Sequence, residues 1–147
     1  METAHSTINQ VLVTLFNHIL RIEERALSSP GLSIREVHVI ECVCESADSR
    51  ITSLAQMLRI TTGSLSVAVS TLERKGYLLR VRRKDDRRMV DIVPTEKALA
   101  IQEKHKQFHE EMTAAIVEKL SESEKEIMVK AMDDVYSYFT SKENGEI

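Results

Sequence analysis

The chain has 147 residues, a formal net charge of −3 and 42% hydrophobic residues, which suffices for one domain with its own core. Only 4 glycines and 2 prolines favour a mostly helical protein. No apolar run approaches the ~20 residues that cross a bilayer, and no signal peptide or internal repeat is visible. These features exclude a membrane-spanning protein and lead us to expect a cytoplasmic one.

Two helices are predicted before residue 46. The first, over about 6–27, has apolar residues at steps of three and four, namely Ile8, Val11, Leu12, Leu15, Ile19 and Ile22. A turn is expected at residues 30–31, where proline precedes glycine. Ser33 with Glu36 has the spacing of a capping box and predicts the start of the second helix.

Residues 51–76 have the pattern of a helix-turn-helix. Its first helix repeats Ile51, Leu54, Ala55 and Leu58 at helical spacing, with Thr52 or Ser53 as its predicted cap. After a turn at residues 60–63, the second helix buries Leu65, Val69 and Leu72 and ends at Gly76. Its other face carries the short side chains of Ser64, Ser66, Val67, Ser70 and Thr71. Such a helix can approach the major groove closely, where hydroxyl groups can meet base edges and phosphates.

A basic β-hairpin is predicted next, with strands over about 77–83 and 89–93 and a polar tip between them. The segment from Glu73 to Arg88 holds 8 basic and 3 acidic residues, so its formal charge is +5. The rest of the chain holds 12 basic and 20 acidic residues. A charge run alone is usually a solvated face, but beside a helix-turn-helix this one indicates a polyanionic partner.

The remaining sequence predicts a long helix from Thr95 to about Leu120 and a last helix capped by Ser121 with Glu124. The last helix has a wide apolar side of Ile127, Met128, Ala131, Met132, Val135, Tyr138 and Phe139. Both terminal helices are too apolar for exposure. They can be buried in a homodimer that interleaves them, or within one chain by packing of the first helix on the last two. We assign 33–94 to DNA binding and 1–32 with 95–147 to dimerisation, in one continuous domain.

The chain resembles the MarR family of bacterial transcription regulators, chiefly in the Leu72–Gly76 turn and in Asp86, Arg87 and Arg88 at the tip of the hairpin. The resemblance implies a mainly α fold, a winged helix-turn-helix with a two-stranded β-wing and N- and C-terminal dimerisation helices. It also implies that a dimer binds a pseudo-palindromic duplex, with the second helix in the major groove and Arg87 or Arg88, oriented by Asp86, in the minor groove. The predicted DNA-binding residues are Thr62, Ser64, Ser66, Ser70, Arg82, Lys84, Asp86, Arg87 and Arg88.

Two effectors are compatible with the sequence. His105 and His109 share a helix face, and with a remote histidine and carboxylate they are a workable zinc set. The zinc-responsive repressors of the family resemble this chain at Glu24, His38, His105 and His109. The branch that represses fatty-acid synthesis in lactic acid bacteria and streptococci resembles it over a longer span, including residues 16–24, 34–41 and 105–112.

The fatty-acid branch implies a long acyl chain on acyl carrier protein as corepressor, and it is our preferred interpretation. No cofactor is then required, and zinc remains the alternative. The predicted effector pocket consists of Phe16, Ile19, Val37, His38, Ile40, Ile101, His105, Phe108 and His109, although each apolar residue of this set, taken alone, is more often part of a plain core.

Nothing in the sequence indicates an enzyme, because no nucleophile elbow, phosphate loop or zinc-hydrolase spacing is present. Cys42 and Cys44 lie two residues apart on a predicted helix and point in different directions, so we expect buried free thiols. A helical protein-interaction module without DNA binding is the remaining alternative class, and it would leave the basic hairpin without a role.

Overall fold

The computed structural model describes residues 4–27 and 31–145, which form six helices and a two-stranded antiparallel sheet. The helices are α1 (Ala4–Leu27), α2 (Ile34–Glu45), α3 (Ile51–Met57), α4 (Thr62–Arg74), α5 (Glu96–Val117) and α6 (Glu122–Glu143), and the strands are β1 (Leu78–Arg82) and β2 (Val90–Pro94). This order confirms the predicted fold class, a mainly α winged helix-turn-helix with a two-stranded wing. Among the described residues, no helix is long and apolar enough to cross a membrane.

The helix starts show which predicted caps form. Ser33 and Glu36 make the capping box of α2, and Ser121 with Glu124 makes that of α6, as predicted. The predicted cap of α3 at Thr52 or Ser53 is wrong, because Arg50 occupies the cap position without a side-chain hydrogen bond. The Ser53 hydroxyl instead donates to the Asp48 carboxylate at 2.6 Å. Gly31 has the positive φ of a turn, +82°, whereas Pro30 lies outside the described residues.

The core of the winged helix-turn-helix is built from the apolar faces that the sequence indicated. Side chains of α2, α3, α4 and both strands meet there, and Ile40, Leu54, Leu65, Val69, Leu72, Leu78 and Ile92 are at most 1% exposed. Each such residue contributes roughly 1.5–3 kcal/mol through removal from water. Because α2 and α4 pack in the same core, and such cores are close-packed, a displacement of α2 also shifts α4.

The wing is fixed to the rest of the helix-turn-helix at two points. β1 pairs with β2 in a register that sets Leu78 opposite Pro94 and Arg82 opposite Val90. In the middle of β2, the backbone N–H of Ile92 donates to Ser49 O, in the segment before α3, at 2.8 Å. The link from α4 to β1 passes through Gly76, whose φ of +81° is a conformation that glycine adopts without strain.

The chain divides into two compact units, Met1–Phe108 and His109–Ile147. The division predicted from the sequence, at residues 33 and 95, separates the DNA-binding segment from the dimerisation segments. The boundary between the two compact units is a different one and falls inside α5. In the first unit, α1 exposes much of its apolar stripe, with Ile8 60% and Val11 55% exposed. In the second unit, α6 exposes Ile127 and Phe139 to a similar degree.

Candidate nucleic-acid interface

Helix α4 presents an outer face of small side chains. Its N-cap is Thr61, whose Oγ1 accepts the backbone N–H of Ser64 at 3.1 Å and whose hydroxyl donates to Ser64 Oγ at 2.8 Å. Of the residues predicted to bind DNA, Thr62, Ser64 and Ser70 are exposed and Ser66 is half-buried. At the centre of this face, Val67 is 70% exposed. No bulky side chain on this face would keep the helix backbone away from a groove.

Arg80 on β1 holds the middle of α4, a role that the sequence analysis missed. Its guanidinium donates to the Glu73 carboxylate, to Ser66 O at 3.0 Å and Ser66 Oγ at 3.3 Å, and to Ser70 Oγ at 3.1 Å. Ser70 in turn donates to Ser66 O at 2.9 Å. The hydroxyls of Ser66 and Ser70 are thus engaged by the wing. From the sequence, Arg80 is only one of the eight basic residues of the segment from Glu73 to Arg88.

Two further ion pairs lie toward the tip end of the wing strands and just before α3. Arg83 donates to both carboxylate oxygens of Asp91, at 2.8 and 2.9 Å, and Arg50 makes a comparable pair with Asp48. The bond to Asp91 raises the pKa of Arg83, and the same bond lowers the pKa of Asp91. Hydrogen bonds from Arg50 and Ser53 hold the pKa of Asp48 well below its usual range. These charges stay balanced within the protein at neutral pH.

The cations left at the wing tip are Arg82, Lys84, Arg87 and Arg88, all exposed. Within residues 31–145 none of them has a carboxylate partner. Arg82, Arg83, Lys84 and Arg87 line a cleft of about 410 Å³. The Asp86 carboxylate accepts the backbone N–H of Arg88 at 2.9 Å, so it shapes the turn and makes no ion pair with an arginine of the described wing. The expectation that Asp86 orients a wing guanidinium is therefore corrected to a backbone role.

A cluster of buried ionisable groups joins α1, α2 and α5 within the first unit. Glu23 and His105 are each 3% exposed, and Glu23 Oε1 lies 2.7 Å from His105 Nε2 and 3.3 Å from His38 Nε2. Glu41 Oε1 lies 2.9 Å from His105 Nδ1. One ligand atom from each of His38, Glu41 and His105 also lies within 4.8 Å of the others. Imidazole nitrogens and carboxylate oxygens are zinc ligands, so the donor set of His38, Glu41 and His105 fits the predicted metal.

The carboxylates at this cluster are those of Glu23 and Glu41. Glu24, which follows Glu23 on α1 and was predicted to belong to the zinc set, is exposed. Adjacent helix residues point about 100° apart, so the two cannot exchange places. His109 lies one turn after His105 on α5, is half-buried and belongs to the second unit.

The apolar residues predicted to line an effector pocket occupy different environments. Val37 and Ile40 are buried in the core, and Ile101 and Phe108 pack against it while half-buried. Ile19 is half-buried on α1, whereas Phe16 is 63% exposed. The structure thus brings four of the six apolar residues together and leaves Phe16 on the surface.

Cys42 and Cys44 are free and half-buried on α2. Burial, followed by the charges of Glu45 and Glu41, raises the pKa of both thiols. Thiols in this state are weak nucleophiles, consistent with a structural role.

A sequence model of the MarR family matches residues 32–90. The structure is similar to that of Streptococcus pneumoniae FabT in complex with DNA, with a TM-score of 0.87 and 34% identity, covering 93% of this chain and 98% of that one. The HTH-type transcriptional repressor YetL of Bacillus subtilis (strain 168) is 25% identical over 122 residues, 82% of this chain and 71% of its own. The HTH-type transcriptional regulator SarZ of Staphylococcus haemolyticus (strain JCSC1435) is 27% identical over 111 residues, 76% of this chain and 74% of its own.

These relatives are transcription regulators, and the chain, like them, is not an enzyme. It belongs to the MarR family and is a DNA-binding transcription regulator.

Proposed function

We propose that this regulator is a homodimeric repressor of fatty-acid-synthesis genes whose affinity for DNA is raised by a long acyl chain on acyl carrier protein. The similarity to FabT over 93% of the chain supports this assignment, because it extends well beyond the helix-turn-helix. Of the segments that resemble the fatty-acid branch, residues 16–24, 34–41 and 105–112 lie on α1, α2 and α5, outside the predicted DNA-binding face.

The proposed DNA interface is α4 in the major groove and the wing tip in the adjacent minor groove. The four exposed wing cations, Arg82, Lys84, Arg87 and Arg88, carry this proposal, because the other wing arginines already have carboxylate partners. Arginine in a narrow minor groove is favoured by the enhanced negative potential there. In a twofold dimer the two α4 helices would meet successive major grooves about 34 Å apart on a pseudo-palindromic operator.

The acyl chain is proposed to bind where α1, α2 and α5 meet near the buried Glu23–His105 pair. Ile101 and Phe108 are half-buried there, so they can contact a ligand without first leaving a sealed core. A ligand that shifts α2 would act on α4 through their common core. In a dimer this shift changes the separation of the two recognition helices, and a coupling of 5- to 150-fold in affinity is typical.

The test is fluorescence anisotropy of the purified protein on a labelled duplex from its own upstream region. The conditions are chelator alone, unacylated acyl carrier protein as the matched control, the long-chain acylated form, and zinc. Tighter binding with the acylated carrier only is the expected result. Equal binding with and without the acyl chain would contradict the proposed corepressor.

Zinc is a second candidate effector, supported by His38, Glu41 and His105, each of which has a ligand atom within 4.8 Å of the others. If zinc alone tightens DNA binding, these residues are its proposed ligands, with Glu41 in place of Glu24. A Glu41→Gln substitution should then remove the zinc response, whereas Glu24→Gln should leave it intact. Zinc-dependent binding that survives Glu41→Gln would contradict this site.

A further inference from the structure

The outer face of α4 has one apolar side chain at its centre. Val67 is 70% exposed, more than any other large hydrophobic residue described in the unit that ends at Phe108. Its neighbours at helical spacings of three and four are Gly63, Ser64, Ser70 and Thr71, which are all small. The valine methyl groups therefore project beyond the surrounding surface. A single exposed valine is common on protein surfaces, so its surroundings must decide its role.

The hydroxyl groups around Val67 are already engaged within the protein. Ser64 Oγ accepts from the Thr61 hydroxyl at 2.8 Å, and the Oγ atoms of Ser66 and Ser70 accept from Arg80. Thr71 Oγ1 accepts from Arg74 at 3.3 Å. Each of these bonds occupies one of the two acceptor positions of a hydroxyl group, and Ser70 also donates its proton to Ser66 O.

The nearest cation to the middle of this face is neutralised as well. Arg80 forms an ion pair with Glu73 and places a second nitrogen on Ser66 and Ser70, so its guanidinium is held by protein groups on both sides. Arginine paired with the two acceptors of guanine is the commonest specific contact in the major groove. That contact would require Arg80 to give up its present partners.

The face also presents the two methyl groups of Val67, its exposed apolar feature. In the major groove, the C5 methyl of thymine is the one apolar group that distinguishes a base pair, and apolar side chains read it by contact. We propose that Val67 is a specificity-determining residue that selects thymine at one position of each operator half-site. This rests on the proposed placement of α4 in the major groove. Arg80 is then a positioning residue that holds the helix face in the required orientation.

The experiment replaces thymine by deoxyuridine, which removes the C5 methyl and preserves base pairing. The duplex is one that the purified protein selects from a randomised pool, and symmetric thymine pairs are replaced one pair at a time. Affinities of wild type, Val67→Ala and Val13→Ala are measured by fluorescence anisotropy. Val13 is the matched control because it is an exposed valine on α1, away from its apolar stripe. Alanine favours the helix in both variants.

At one symmetric pair we expect deoxyuridine to weaken wild-type binding about fourfold per half-site, as removal of one buried methyl group does. Val67→Ala should bind the thymine duplex less tightly and lose no further affinity with deoxyuridine, and Val13→Ala should behave as wild type. Wild-type binding that is insensitive to every replacement, or equal sensitivity in Val67→Ala, overturns the inference while leaving the DNA interface in place. Failure of the wild type to select any duplex overturns the placement of α4, and the inference with it.

Discussion

Arg83 and Arg87 lie four residues apart in the wing, but only Arg83 has a carboxylate partner in the described structure. A paired arginine neutralises few phosphates, because its charge is already balanced, whereas exposed arginines release counterions from DNA. We expect the Arg87→Ala, Arg88→Ala double variant to weaken DNA binding and to reduce the slope of log affinity against log salt by about 0.9 for each phosphate that is no longer neutralised.

The matched control for this prediction is Arg21→Ala, which removes the same kind of charge from an exposed position on α1. Its salt slope should equal that of the wild type. Anisotropy titrations between 50 and 200 mM salt, about the range in which such slopes are measured, provide the readout. An unchanged slope after removal of both Arg87 and Arg88 would show that the wing tip does not contact phosphates.

Glu23 and Glu24 are neighbours of identical chemistry with different surroundings. Glu23 is buried against His105, so Glu23→Ala removes the acceptor at the buried Nε2 of His105, and we expect a loss of about 3 kcal/mol in the free energy of unfolding. Glu24 is exposed, and Glu24→Ala should change stability by no more than about 0.5 kcal/mol. Urea unfolding measures both values. Equal stability of the two variants would contradict the assignment of Glu23 to the buried cluster.

At the scale of elements, Gly76 and Gly63 bound opposite ends of α4 and should respond oppositely to alanine. Gly76 has φ +81°, which costs a residue with a Cβ atom about 1–2 kcal/mol, so Gly76→Ala should destabilise the protein. At Gly63 a Cβ would meet only Thr61 Oγ1 at 3.9 Å, an ordinary contact. Gly63→Ala should therefore be neutral or stabilising by up to about 1 kcal/mol. Thermal unfolding monitored by circular dichroism distinguishes the two; destabilisation by Gly63→Ala would contradict this account.

The elements that the sequence predicts well are those set by neighbours along the chain. The capping boxes at Ser33 and Ser121 depend on residues three positions apart, and both form as predicted. The partners of Arg80 and Glu23 depend on how separate elements meet, so no local pattern reveals them. Glu23 and Glu24 point about 100° apart around the axis of α1. The sequence does not fix the rotation of α1 against its neighbours closely enough to decide which of the two faces the histidines. The sequence predicts which residues of α4 form the DNA-binding face. It does not predict which of their polar groups are already hydrogen-bonded within the protein.

At the scale of the whole molecule, the exposed apolar stripe of α1 indicates a partner surface. Val11 lies within this stripe and Val13 lies off it, yet both are about equally exposed in the single chain, at 55% and 54%. A second copy of the chain would bury Val11 and leave Val13 in water, since a twofold dimer uses the same patch on both subunits. The two valines therefore form a matched pair for testing the proposed homodimer.

We expect Val11→Glu to raise the dimer dissociation constant roughly 100-fold or more, because an unpaired charge in an apolar interface costs several kcal/mol. Val13→Glu should leave the dissociation constant unchanged within a few-fold. Analytical ultracentrifugation over a dilution series measures both constants, and anisotropy on the same samples reports operator affinity. Dissociation of the dimer should weaken binding to the full operator far more than binding to a half-site, because only the dimer spans both major grooves. A Val11→Glu variant that dissociates no more readily than Val13→Glu would remove α1 from the dimer interface and leave its stripe to packing within one chain.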